Sequence, residues 1–305
     1  MLPRSHFILS LVLPLAAIPV CADTAVYAVT GNQQFGTFDI NTGAFNPIGP
    51  GTPEPESGLV PGPNGTLLTL TASGNLDAIN PATGQVVSSL PTGLGNCSAP
   101  VPGQCGPSSA NTIAEVAGVV YATDYSNNLY RINPTTGAKT LIGSTGVPPV
   151  SPLVPGSTNT DGSINFFGEA LVGANGKLYA TFFTGTLDPT TFAPSPAMPD
   201  HLYQIDPATG ATINLDPTTP TTFSLDTIVN VNGTYYTFAD AFGDIDTINL
   251  ANGVTTTVGS FDPGSTGLIL GATATPEPAP IALVFVGIAG LVASHRRAIL
   301  RRRHA

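Results

Sequence analysis

The chain has 305 residues, of which 34 are glycine and 30 proline, while only 9% are charged and tryptophan is absent. That mix excludes a helix-rich enzyme body, and a hydrophobic content of 42% excludes general disorder, because enough apolar surface is present to bury a core. Between residues 23 and 275 only Arg131, Lys139 and Lys177 oppose 18 Asp and Glu, which leaves that stretch at −15 and makes it a poor partner for nucleic acid.

Residues 1–22 begin with Arg4 and His6, continue through an apolar run from Phe7 to Ile18, and end at Val20-Cys21-Ala22. A basic start, a short apolar run and small residues at the cut predict a secretory signal peptide. A retained anchor sits less well with Pro14 and Pro19, and the apolar run is short for a membrane span. A lipoprotein acylated at Cys21 would have an unusually bulky residue, Val20, ahead of it.

From residue 23 to 275 the chain repeats. One phrase appears as Phe38 to Gly43, Ile79 to Gly84, Ile132 to Gly137, Ile205 to Gly210 and Ile248 to Gly253, typified by Ile-Asn-Pro-Ala-Thr-Gly. A second phrase precedes four of these, opening at Gly65, Gly118, Gly176 and Gly233, and three of those glycines follow Asn64, Asn175 and Asn232. Asn-Gly is the preferred tight hairpin because both central residues need positive φ. Asx-Pro followed by a glycine is likewise a turn.

Each unit therefore reads as four antiparallel strands. In the third these are Ile113 to Val116, Val119 to Thr123, Leu129 to Ile132 and Lys139 to Ile142. Repetition at roughly 40 to 50 residues predicts an all-β propeller. The first unit begins at its second strand, Ala25 to Val29, and Gly267 to Ala272 is an orphan strand at the other end. If Leu268, Ile269 and Leu270 pair beside Val26 to Val29, five four-stranded blades close into a ring with no large edge exposed. An open β-sandwich is the other architecture this pattern allows. The segments 91–111 and 144–166 are rich in Pro, Gly and Ser and read as loops. Cys97 and Cys105, in the first of them, are the only cysteines after residue 22, and pairing them closes a small local loop.

Carboxylates are the plentiful reactive groups. Glu56, Glu169 and Asp226 precede the first strands at Leu59, Leu171 and Ile228, with Asn111 ahead of Ile113, an arrangement able to form a polar ring at one mouth of the channel. Asp240, Asp244 and Asp246 surround Gly243 in what reads as an acidic turn, and either group offers oxygen ligands suited to Ca2+. No other cofactor is implied, and no catalytic residue is assigned. His201, the only histidine between residues 23 and 275, reads as a surface loop residue, and no nucleophile or nucleotide-binding motif stands in a usable context.

The last 30 residues have three parts in order: Pro276-Glu277-Pro278, the apolar run Ile281 to Ser294, and a basic end with Arg296, Arg297, Arg301, Arg302 and Arg303. This segment, 276–305, resembles the PEP-CTERM sorting signal of Gram-negative bacteria. The resemblance implies a C-terminal hydrophobic transmembrane helix, an inner-membrane precursor, processing by an exosortase-like enzyme near Pro276 to Pro278, and release to the cell surface or an exopolysaccharide matrix. A plain tail anchor would share the apolar run and the basic end. The repeats themselves resemble quinoprotein-like, YVTN and NHL-type propellers, a likeness that brings no active site with it. The function expected is that of a non-enzymatic surface or biofilm-matrix protein. The alternative is an exported calcium-dependent hydrolase or lactonase.

Overall fold

A computed structural model describes residues 25–54, 56–94, 110–124, 126–146, 164–187, 201–216, 225–239 and 243–274. The expected signal peptide, the Cys97–Cys105 pair and the sorting segment 276–305 lie outside the described residues. Among the described residues no helix is long and apolar enough to cross a membrane.

Five four-stranded antiparallel sheets make up the body. Blade one contains β1 (Ala25–Thr30), β2 (Phe35–Asp39) and β3 (Ala44–Pro47). Blade two is β4 (Glu56–Pro61), β5 (Leu67–Thr71), β6 (Asn75–Ile79) and β7 (Val86–Pro91). Blade three is β8 (Ala110–Val116), β9 (Val119–Asp124), β10 (Asn128–Ile132) and β11 (Lys139–Ser144). Blade four is β12 (Ile164–Ala174), β13 (Lys177–Leu187), β14 (His201–Ile205) and β15 (Thr212–Asn214), and blade five is β16 (Leu225–Val231), β17 (Thr234–Ala239), β18 (Asp244–Ile248) and β19 (Thr255–Ser260). After the short helix α1 (Pro263–Thr266), β20 (Ile269–Ala274) returns as the innermost strand of blade one, giving the order β20-β1-β2-β3.

Closure of the ring by the chain ends is as expected, but its register is not. Val26 pairs with Ala274, Ala28 with Ala272 and Val29 with Gly271, so the strand runs later than Leu268 to Leu270. Gly271 sets this position: a side chain there would stand 2.5 Å from the carbonyl carbon of Gly58 on β4. Leu268 is left outside the strand and accepts the Gly31 N–H at 2.8 Å through its carbonyl.

Asn64 and Gly65, with φ of 57° and 75°, sit in a short 3-10 turn, Pro63–Gly65, within a longer loop from Pro61 to Leu67, whereas the Asn-Gly hairpins of blades four and five form as expected, with φ of 50° and 72° at Asn175 and Gly176 and 53° and 85° at Asn232 and Gly233. Blade three makes the same turn with Ala117 at φ 51°, a conformation a β-carbon disfavours. All five turns of the Ile-Asn-Pro-Ala-Thr-Gly phrase are built alike. Oδ1 of Asp39, Asn80, Asn133, Asp206 and Asn249 accepts the backbone N–H two residues on, at 2.8–2.9 Å.

The glycine that ends each of these turns also clasps the neighbouring blade. Gly43 sits on Ser260, Gly84 on Ile48, Gly137 on Leu90 and Pro91, Gly210 on Gly143 and Ser144, and Gly253 on Asp216. The repeat phrase thus serves twice, as a turn within one blade and as a close approach to the previous one, to its backbone at Gly43, Gly84, Gly137 and Gly210 and to the Asp216 side chain at Gly253.

One apolar core fills each of the five interfaces. Blades two and three share Leu68, Leu70, Leu76, Ile113 and Ile132, and blades three and four share Leu129, Leu171, Leu178 and Ile205. Blades four and five meet through Leu202, Ile228 and Ile248, and blades five and one through Phe38, Phe238, Ile245 and Phe261. Between blades one and two the buried set is Val29, Phe35, Leu59, Leu67 and Ile79, a smaller core than at the closure of blades five and one. Strands buried on both faces read as nearly continuous apolar runs, and β5 is buried at all five positions.

Candidate functional site

The innermost strands β4, β8, β12, β16 and β20 touch one another in ring order around the axis. They enclose a cavity of about 220 Å³ lined by Gly58, Thr112, Thr227, Gly271 and Thr273, with Glu115 and Asn230 also on its wall. Small residues draw the walls together. A side chain at Gly58 would meet the Ile113 N–H at 2.7 Å, and one at Gly173 would collide with the Glu115 carbonyl. The polar lining is engaged in the fold: Thr227 Oγ1 donates to the Ile269 carbonyl at 2.9 Å, Asn230 Oδ1 accepts the Gly233 N–H at 2.9 Å, and Glu115 accepts the Gly118 N–H.

The four residues expected as a ring divide. Asn111, Glu169 and Asp226 each stand two residues before the aligned positions Ile113, Leu171 and Ile228. Residue counting would match them with Ser57 in blade two, but the register makes Glu56 the equivalent of Glu169, opposite Phe182, with Asn111 and Asp226 one residue beyond the equivalent Ala110 and Leu225. Glu56 opens β4 opposite Thr71. The strand positions of Glu169 and Asp226 are also corrected: Glu169 lies within β12, opposite Phe182, and Asp226 within β16. The 144–166 segment is shorter as a loop than expected, since β12 starts at Ile164.

Glu56 instead belongs to a polar cluster in blade two. Thr69 pairs across the strands with Asp77, and Asp77 with Ser89. Ile79 and Leu67, which alternate with Asp77 and Thr69, pack on Val29 and Phe35 of blade one, so the cluster faces that blade. Glu56, Thr69 and Asp77 are 2%, 0% and 3% exposed. Both carboxylate oxygens of Glu56, Oδ1 of Asp77 and Oγ1 of Thr69 are buried without a hydrogen-bond partner. Burial, then the Asp77 and Glu54 carboxylates, push the Glu56 pKa up to about 8. Asp77 is also raised, chiefly by burial, with the Ser89 hydroxyl working the other way. Beside them Glu54 accepts the Ser73 N–H at 2.9 Å and the Ser73 hydroxyl at 2.5 Å.

Blade five repeats part of this arrangement. Thr237 pairs with Asp246, and Thr237 Oγ1 and Asp246 Oδ1 are likewise buried without partners. Burial raises the Asp246 pKa. Asp244 and Asp246 are strand residues of β18 rather than members of a turn, while Asp240 lies outside the described residues. In blades three and four the same cross-strand position holds Ala122 with Tyr130 and Ala180 with Tyr203. Asp77 and Thr69 were missed as candidates in the sequence. Aligning the third strands shows the signal, a carboxylate in two blades where two others have tyrosine.

His201 opens β14 instead of lying in a loop. Its Nδ1 is 3.2 Å from Oδ1 of Asp216, whose side chain is fully buried and also accepts the Leu202 N–H at 3.0 Å. This contact ties β14 to the end of β15. Among the described residues no group of three or more His, Cys, Asp and Glu side chains converges as a metal centre.

Five closed four-stranded blades define a β-propeller. Solved structures of similar shape include a nidogen/laminin complex, at 12% identity over 82% of this chain and 97% of that one, with a TM-score of 0.46. Virginiamycin B lyase from Staphylococcus aureus, in a catalytically inactive form with quinupristin, is similar at 13% identity over 79% and 71%, with a TM-score of 0.39. BamB from Moraxella catarrhalis matches at 14% identity over 78% and 74%, with a TM-score of 0.35. No protein-family model and no curated protein matches the chain.

Proposed function

We propose that this chain is an exported, non-enzymatic surface or matrix protein whose propeller presents its rim to other molecules. The observation that carries this reading is on the outermost strands. Val87 on β7, Leu141 on β11, Ile213 on β15 and Val258 on β19 are 54–61% exposed, so four blades place an apolar side chain at the free edge of the sheet. Exposed edges and apolar side chains are means of contact with a partner. The central cavity, by contrast, is smaller than the usual small-molecule site and is drawn tight by glycine.

On this reading residues 1–22 direct export and residues 276–305 act as the PEP-CTERM-like signal, holding an inner-membrane precursor until an exosortase-like enzyme cuts near Pro276 to Pro278. The partner is a surface matrix or exopolysaccharide. Mass spectrometry of the exported protein, from hosts with and without an exosortase, tests the route, with an intact Ala305 in both hosts counting against it. Substituting Leu141 and Ile213 by Asp should lower retention in the matrix fraction without changing secretion. A calcium-dependent hydrolase is the second reading, favoured by the carboxylate residues Glu169 and Asp226 on the innermost strands of neighbouring blades. A lactone and glycoside screen on the wild type and on Glu169→Gln with Asp226→Asn tests it.

A further inference from the structure

We infer that Glu56, Asp77 and Thr69 form a binding site for one calcium ion at the interface of blades one and two. The inference does not depend on the export route.

Four oxygen atoms define the site: Oε1 and Oε2 of Glu56, Oδ1 of Asp77 and Oγ1 of Thr69. All are buried and none has a hydrogen-bond partner. The register of blade two puts their residues on one face, with Glu56 opposite Thr71 and Thr69 opposite Asp77. Buried carboxylate oxygens left without donors are costly, and the cost falls when a cation supplies the missing partner.

No side-chain cation of the described body does so. Arg131 and Lys139 are on blade three and Lys177 on blade four. Lys139 Nζ donates to the Gly93 carbonyl, and Lys177 pairs with Asp206 at 3.2 Å. Arg131 is exposed. The titratable neighbours of the cluster are Glu54 on its own blade and Tyr27 across the interface, the latter stacked on Phe35 at 5.6 Å. Neither brings positive charge.

The fold does satisfy a buried carboxylate with protein donors elsewhere. Asp124 in blade three is 1% exposed and accepts the backbone N–H groups of Ser126 and Asn128 at 2.9 Å, the Asn128 amide at 3.0 Å and the Tyr130 hydroxyl at 2.9 Å. Blade five, with Thr237 and Asp246, has Leu225 at the position of Glu56 and so presents one carboxylate instead of two. Two carboxylates match a divalent charge. A purely oxygen donor set selects a hard ion, and ligation mainly by protein oxygens suits calcium better than magnesium, which keeps its waters.

The test uses the full-length chain purified in detergent, stripped with EDTA and titrated with CaCl2 by calorimetry and thermal unfolding at pH 8. The expected result is one calcium per chain and a Tm increase of about 5 °C or more at a hundredfold excess over Kd. Affinity should fall at least about tenfold in Glu56→Gln and in Asp77→Asn, and should stay within about twofold in Asp246→Asn. Thr69→Val, which keeps the shape of a buried side chain, should weaken binding and serves if the carboxylate variants do not fold. A wild type that ignores calcium, or calcium binding that survives the blade two substitutions, overturns the assignment.

Discussion

Blades two and three are built on the same repeat, yet they bury carboxylates in opposite ways. In blade three the second-hairpin turn curls around Asp124 and aims four donors at it. In blade two the matching position is Thr71, whose hydroxyl accepts the Asn75 N–H at 3.1 Å and bonds the Ser73 hydroxyl at 3.0 Å. The turn is thereby satisfied without help, and both Glu56 oxygens and Oδ1 of Asp77 find no donors. Burial alone does not determine what a carboxylate does to a fold. The supply of N–H and O–H groups determines whether it acts as a structural knot or as an open coordination position.

The comparison is broken most strongly at Asp124. Asp124→Ala leaves buried donors unmatched and should cost about 3–5 kcal/mol, read as a lower urea midpoint with an unchanged slope. Asp124→Asn should recover part of that loss, because its carbonyl still accepts.

The second test uses pH. Glu56 has a folded-state pKa of about 8, above its ordinary 4.5, so between these values the folded chain holds a proton that the unfolded chain releases. Stability in EDTA should be fully present below pH 4.5 and fall as pH rises to about 8, by up to about 1.4 kcal/mol per unit. Glu56→Gln should flatten that slope, and denaturation at four pH values decides the matter. In the same calcium-free buffer at pH 8, Glu56→Leu should stabilise the chain by about 1–3 kcal/mol, because an apolar side chain suits an interface with a small core. A loss of stability on that change would mean that Glu56 has a protein partner.

The smallest effect concerns the first hairpins. Ala117 holds the left-handed position that asparagine holds in blades four and five, and it is exposed there. Ala117→Asn should raise stability by roughly 0.5–1 kcal/mol, visible as a Tm shift of about 2 °C.

Much of the ring was legible because its punctuation is local. Asn-Gly and Asx-Pro-x-Thr-Gly declare turns through the conformations they permit, and the gap at Ala25 matched the orphan strand before Thr275. The register of β20 was hidden, since it depends on Gly271 meeting Gly58, a contact between residues remote in sequence. The second role of Gly84 and Gly137 was hidden for the same reason. A bulge hides the equivalence of Glu56 and Glu169. β4, β8 and β16 each shift register near their starts while β12 pairs without interruption, so counting back from Leu59 and Leu171 compares different strand positions. Asp77 was overlooked because a carboxylate among alternating residues suggests a water-facing side, and a propeller strand covered by blades on both faces has none.

The strand that closes the ring also sets the order of folding. Val26 and Ala274 come together across almost all of the described body, whereas the other hairpins join strands that follow one another in sequence. Blades two to five can condense locally, each leaning on the one before, but blade one waits for its final strand. Loop-closure entropy therefore concentrates in a single late step, which makes the ends the slowest part to assemble.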